Sequence, residues 1–257
     1  MRFFTRVATG LCLLMLVVLT ACSETTAPPS TDTSIAPTRP GDAQATRFAE
    51  RRQSLVERGV INMGITDDAV ITALRQVPRH AFVPNEYLDQ AYENHPLPIG
   101  YGQTISQPFI VALMTEAVEV EADDRVLEVG TGSGYQAAVL AELVDHVYTM
   151  EIIEPLARRA ENTLDQLGYN NVSVRNADGY FGWEAQAPFD AIVVTAAPDH
   201  IPQPLVDQLV VGGRMVIPVG PIGGIQTLWL ITKEGEDEVS TRDLGGVRFV
   251  PLTRDEG

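Results

Sequence analysis

From residue 126 onward, apolar residues recur in two alternating rhythms, which predict strands and helices in turn. Val126, Leu127 and Val129 form a short apolar run, as expected of a parallel strand covered on both faces. Residues 135–143 are rich in Ala and Leu and predict a helix. Residues 146–150 read as the next strand. Residues 155–168 predict a helix with Leu156, Ala160, Leu164 and Leu167 on one side. A short strand over 171–174 and a strongly apolar one over 190–195 follow. Residues 204–211 are expected to be helical, closed by Gly212. Strands are expected over 214–219, 226–232 and 247–250, the last two linked by the polar, acidic stretch 233–240. Alternation that ends in a hairpin predicts an α/β fold, with a doubly wound, mostly parallel sheet and an antiparallel C-terminal edge.

Helices are also expected before the first strand. Residues 48–60 predict a polar, charged helix ending near Gly59. Thr66 is placed to cap the next one. Asp67 and Asp68 suit its positive end, and Val70, Ile71, Leu74 and Val77 form an apolar stripe. Pro78 stops it. Residues 91–108 are dense in Pro and Gly and read as an ordered loop or a broken strand, and so long a loop in a compact domain is often functional. Pro108 then opens a helix over 109–120, with Ile110, Leu113, Met114 and Ala117 facing inward.

The first residues follow a different pattern. Arg2 and Arg6 precede an apolar run from Val7 to Ala21, the layout of a secretory signal. The run is shorter than the ~20 residues a membrane span needs. Its end, Leu19-Thr20-Ala21-Cys22, resembles a bacterial lipobox with Cys22 as the lipidated first mature residue. Residues 1–21 are therefore expected to be a lipoprotein signal, and 22–45, mostly Ser, Thr, Pro and Ala, a disordered tether. Residues 46–257 form one domain long enough to bury roughly 70% of its unfolded surface. The expected address is the periplasmic side of a bacterial membrane, with the cytoplasm as the alternative.

Composition narrows the chemistry. Cys12 and Cys22 are the only cysteines, so the folded part has none for a disulfide, a thiolate zinc site or a nucleophile. Net charge is −16 and becomes −18 once Arg2 and Arg6 are removed. With no basic cluster interleaved with aromatics, nucleic acid is not an expected partner. His80 and His95 lack metal-ligand spacing and read as structural. Tyr101 and Trp183 read as packing residues.

Between the strand at 126–129 and the helix at 135 lies Gly130-Thr131-Gly132-Ser133-Gly134. Three glycines at alternate positions permit close approaches that side chains would block. Such a turn at a strand's carboxyl end is where doubly wound folds bind nucleotides. The pattern is G-x-G-x-G, with Tyr135 where the dinucleotide fingerprint needs a small residue, which disfavours an NAD-dependent dehydrogenase. Glu151 ends the next strand, 21 residues beyond Gly130, where an acid accepts hydrogen bonds from ribose hydroxyls. Asp178, with Gly179, follows the third strand and could accept from an adenine amino group, or simply form a turn.

The glycine loop with Glu128 looks like the E-x-G-x-G-x-G loop of S-adenosylmethionine (SAM)-dependent methyltransferases. Further stretches are more particular: Pro96-Leu-Pro-Ile-Gly100, Gly102-Gln-Thr-Ile-Ser-Gln-Pro108, Ala187-Pro-Phe-Asp-Ala-Ile-Val-Val-Thr-Ala-Ala197, Gly212-Gly-Arg-Met-Val-Ile-Pro-Val-Gly220 and Phe249-Val-Pro-Leu252. Together they resemble the protein-L-isoaspartate O-methyltransferase family over residues 69–252. The resemblance implies a Rossmann-like fold and SAM as cofactor, held by Glu128, Gly130, Thr131, Gly132, Ser133, Gly134, Glu151, Asp178 and Gly179. It implies methylation of the α-carboxylate of L-isoaspartyl residues in damaged proteins and peptides, after which the ester closes to a succinimide. Ser106 matches the active-site serine, with Ile105 and Gln107 beside it at the substrate. Ala177 and Asn94 depart mildly from the family's pattern. Ser106, just before Pro108, is equally placed to be a helix N-cap. A carboxylate is already a nucleophile at neutral pH, so no general base, metal or Cys is required. Two other readings share these residues: a methyltransferase for small carboxylic acids, and a lipid-anchored binding module without turnover. A monomer is expected.

Overall fold

The computed structural model describes residues 40–254. The expected signal segment, Cys22 and most of the expected tether lie outside the described residues. Helix α1 (Pro40–Gly59) starts earlier than the helix expected over 48–60 and reaches into the stretch read as tether. Helix α2 (Asp68–Gln76) is capped by Asp67, not Thr66. The Asp67 carboxylate accepts from the amides of Ala69 and Val70 at 2.8 and 3.0 Å. The amides of Thr66 and Asp67 are taken instead by Glu116.

The Pro/Gly-rich loop contains a small hairpin of β1 (Leu97–Gly100) and β2 (Gln103–Ile105). Helix α3 (Pro108–Val118) follows at once. Asn94 ties the two ends of this region. Its side chain donates to the Gly59 carbonyl at 3.0 Å and accepts from the Phe109 amide at 3.1 Å. Tyr101, expected to pack, is 61% exposed at the hairpin tip.

The remaining elements alternate as β3 (Arg125–Val129), α4 (Tyr135–Ala141), β4 (His146–Glu151), α5 (Glu154–Leu167), β5 (Val172–Asn176) and β6 (Phe189–Val194). Then come α6 (Gln203–Asp207), β7 (Leu209–Val219), β8 (Gln226–Lys233) and β9 (Val239–Val247). The seven-stranded sheet runs β5-β4-β3-β6-β7-β8-β9. Strands β3 to β7 are parallel, and β8 and β9 form the antiparallel edge.

Two expectations shift here. Residues 209–211 are strand rather than helix. Leu209 pairs with Phe189, and the buried Lys233 ammonium donates to the carbonyls of Val206, Asp207 and Leu209, which closes α6 early. The last strand is not 247–250 but β9, and the stretch read as a linker gives Lys233 to β8 and Val239 and Ser240 to β9, leaving only 234–238 as the connection. Strand β9 is the sheet edge and is almost wholly exposed, so it carries no hydrophobic rhythm.

Period-two alternation of β3 sorts the core. Leu127 and Val129 face one apolar cluster with Met150, Phe189, Ile192 and Leu205. Val126 faces the other, beneath the N-terminal helices and the hairpin. At roughly 1.5–3 kcal/mol per fully buried aliphatic side chain, these layers fix the sheet and hold its strand tips in place. Glu128 shares Val126's face, where a carboxylate needs a reason.

Candidate active site

The sheet's order reverses between β3 and β6: these parallel neighbours end on the same side, but the chain goes on from β3 to β4 toward one edge and from β6 to β7 toward the other. That is the switch point at which open α/β sheets bind ligands. A cleft of about 710 Å³, its open mouth included, lies there. Glu128, Gly130, Thr131, Gly132, Ser133, Glu151, Gly179, Ile105 and Ser106 all line it.

The turn after β3 is held from below. The amides of Gly130 and Thr131 both donate to the Met150 carbonyl, at 2.8 and 3.1 Å. Gly130 has φ +102, and a Cβ there would collide with Thr195 Oγ1. The Thr195 hydroxyl donates to the Gly130 carbonyl at 2.6 Å. The peptide and the β6 tip are thus in direct contact, and only Gly fits.

Glu151 is buried and its orientation is set by backbone. Oε2 accepts from the Gly132 amide at 2.8 Å and Oε1 from the Ile153 amide at 2.9 Å. Each oxygen keeps a further lone pair for a hydroxyl donor. Glu128 is fully buried. Thr131 Oγ1 donates to Thr149 Oγ1 at 2.6 Å, and Thr149 Oγ1 donates to Glu128 Oε2 at 2.5 Å. Glu128 Oε1 has no partner. Burial, reinforced by the nearby Glu151 charge and opposed by the Thr149 hydrogen bond, pushes the Glu128 carboxyl up to about 8.

Other expected site residues sit elsewhere. Gly134 packs against Leu164 and Ala160 on α5, outside the cleft lining. Asp178 is also outside that lining. Its Oδ1 caps the turn at Gly179–Phe181 through the Tyr180 amide, and its Oδ2 pairs with Arg254 Nε at 3.0 Å. The turn reading of Asp178 is the one this geometry carries. Ser106 does not cap α3. The N-cap is Gln107, with no side-chain cap bond, and the Ser106 hydroxyl has no hydrogen-bond partner among the described residues. Gln107 lines an adjoining cavity.

Several lining residues were not singled out from sequence. Thr195 and Ala196 directly follow β6, and the switch-point rule could have pointed to them. Residues 250–253 cross the cleft as a strap, tied by Ala197 N–H to the Val250 carbonyl at 2.8 Å and Leu252 N–H to the Ala197 carbonyl at 2.9 Å. Ile152 and Ile153 supply an apolar wall after Glu151. His80 stacks on Phe48, with ring centroids 4.1 Å apart, and bonds Tyr92. Burial lowers its pKa. Trp183 packs edge-on against Tyr148. Among the described residues no group of three His, Cys, Asp or Glu is placed to hold a metal ion.

An acid at the end of β4, a glycine turn braced on β6 and an orphaned buried carboxyl on β3 suit a cationic nucleoside. Together with the sheet order they define a Rossmann-like, SAM-dependent methyltransferase. The family model of protein-L-isoaspartate(D-aspartate) O-methyltransferase matches residues 50–257. A relative from Pelobacter propionicus, protein-L-isoaspartate O-methyltransferase 2, is 55% identical over 80% of this chain and 92% of its own. A solved protein-L-isoaspartate O-methyltransferase superposes with TM-score 0.73 at 29% identity, over 80% of this chain and 67% of its own. Another, from Plasmodium falciparum in complex with S-adenosyl-L-homocysteine, gives 0.67 at 26%, over 80% and 98%. The chain belongs to the protein-L-isoaspartate O-methyltransferase family.

Proposed function

We propose that this chain methylates the α-carboxylate of L-isoaspartyl residues in damaged proteins and peptides, opening their repair through a succinimide. The observation that carries the reading is the Ser106 hydroxyl, half-buried and unpaired, in the walls of both the cofactor cleft and the cavity beside it.

The residues present fit SAM. Glu151 would hold the ribose hydroxyls, and the 130–133 turn would approach the ligand closely. Glu128 Oε1, buried without a partner, would face its positive charge. When bound, SAM supplies a methyl group on a positive sulfur that leaves as a neutral thioether. This chain's work is alignment. Ser106 donates a hydrogen bond that orients the acceptor carboxylate, and acts neither as base nor as covalent nucleophile. Ile105 and the 250–253 strap narrow the cleft and exclude water.

Incubation with methyl-tritiated SAM should label an isoaspartyl peptide and leave its aspartyl isomer unlabelled. Equal labelling of both isomers, or of neither, removes this reading. Activity on small free carboxylic acids alone would select the small-acid alternative, and SAM binding without turnover the binding module.

We further propose that the chain is exported and held to the membrane by lipid on Cys22, acting as a monomer on the periplasmic side. Arg2 and Arg6, the apolar run to Ala21 and the lipobox-like Leu19–Cys22 support the anchor. Labelled palmitate should enter Cys22 and be absent from Cys22→Ala. A mature N-terminus at another residue would return the cytoplasmic alternative.

A further inference from the structure

Beside the cofactor cleft lies a second cavity of about 1050 Å³, its open mouth included. The two share Thr104, Ser106, Thr195 and Val250. A peptide whose reacting carboxylate reaches Ser106 therefore places its neighbouring residues in this second cavity. The walls are mostly apolar or neutral, built from Ile110, Ile225 and Phe249 among others. One lining residue is charged: Arg248, just after β9.

Arg248 is exposed. It makes no hydrogen bond, ion pair or ring contact among the described residues. Most arginines here behave otherwise. Arg51, Arg75, Arg158, Arg214 and Arg254 each pair with a carboxylate. The chain carries 34 acids against 18 bases, so a lone cation in an acceptor cavity runs against the overall balance. Long-range repulsion from a chain of charge −16 disfavours acidic substrates. A local cation at the groove offsets that repulsion where the peptide must sit.

We propose that Arg248 is a specificity-determining residue that receives an acidic side chain adjacent to the isoaspartyl residue of the substrate. The inference rests on the isoaspartyl reading above. It gives the enzyme a preference for damage in acidic sequence contexts. Because the guanidinium is solvent-exposed, the pair acts on substrate affinity, weakens with salt and is modest in size.

The experiment uses the full chain and isoaspartyl peptides with blocked termini, carrying Glu, Ala or Lys on either side of the isoaspartyl residue. We expect KM for the better Glu peptide to lie about three- to tenfold below that for the Lys peptide at low salt. The difference should shrink in high salt, and in Arg248→Ala it should vanish or tip slightly toward Lys, because the chain's net negative charge remains. In Arg248→Glu the order should invert, with Lys now preferred. Equal KM values across the three peptides would overturn the assignment. So would an Arg248→Ala defect confined to kcat and equal for all peptides, which would place Arg248 at the reacting carboxylate or in the fold. No labelling of any isoaspartyl peptide by the unsubstituted chain would instead bring down the methyl-transfer reading, and this inference with it.

Discussion

Glu128, Glu151 and the 130–133 turn stand on the tips of central strands, where nearly every polar atom is already engaged by neighbouring backbone or hydroxyl groups. Ser106 and Arg248 stand on the exits of a two-strand hairpin and an edge strand, half-buried or exposed, with polar groups uncommitted. On the proposed reading, the cofactor end is pre-organised and the acceptor end is open. The contrast matches what each must bind. A cofactor is one molecule and rewards a rigid mould. Damaged protein segments vary, and only the carboxylate between them is constant, so one fixed hydroxyl beside an adaptable groove suffices.

If that contrast holds, equal insults should have unequal effects. Gly130→Ala must place a methyl group against Thr195 at φ +102, and we expect a loss on the order of 2–4 kcal/mol in folding stability together with loss of SAM binding. Gly100→Ala at the hairpin has φ +91 but meets nothing within 4 Å, so only backbone strain of about 1–2 kcal/mol remains. Urea denaturation of the two variants measures both. Equal midpoints would abolish the distinction between the two ends.

A second test uses pH. The Glu128 carboxyl releases its proton near pH 8 in the folded chain, against 4.5 as the ordinary value. The folded state binds more protons between those limits, so its stabilising contribution is complete below pH 4.5 and is lost as pH rises toward 8. Thermal midpoints of the cofactor-free chain should fall over that window relative to Glu128→Gln. A Glu128→Gln curve parallel to the wild type would show that this carboxyl is ionised in both states.

The same contrast explains what could be read from sequence. The cofactor end was legible because its requirements are local: Gly where a neighbouring strand tip crowds the backbone, and an acid one strand further on. The mostly parallel sheet and its antiparallel C-terminal edge followed from alternation and resemblance. Asp178 was placed correctly after a strand, but its partner Arg254 is 76 residues away and left no local trace. Strand β9 was misplaced because an exposed edge need not alternate. Residues 205–211 carry apolar side chains that suit a helix or a strand, and sheet pairing with Phe189 decided between them. Arg248 escaped notice because nothing in a sequence marks a cation as unpaired.

Glu151→Ala leaves the amides of Gly132 and Ile153 without their acceptor and removes the proposed ribose contact. SAM affinity should fall by about 1–3 kcal/mol by calorimetry, and unchanged affinity would withdraw the ribose assignment. Glu151→Gln should lose less, because an amide oxygen still accepts one backbone bond.

The smallest binding effect is expected at Ser106. Its hydroxyl bonds to nothing among the described residues and does not cap α3, so Ser106→Ala breaks no hydrogen bond in the free chain. Stability and SAM affinity should therefore stay within about 0.5 kcal/mol of wild type. Turnover of the isoaspartyl peptide should fall about tenfold, the consequence of a carboxylate no longer aimed at the methyl group. Ser106→Thr keeps the hydroxyl and should recover part of the loss, since restoration by the hydroxyl separates orientation from packing. A Ser106→Ala enzyme with full kcat would leave the acceptor end without a fixed group and would move the search to the backbone of the 250–253 strap.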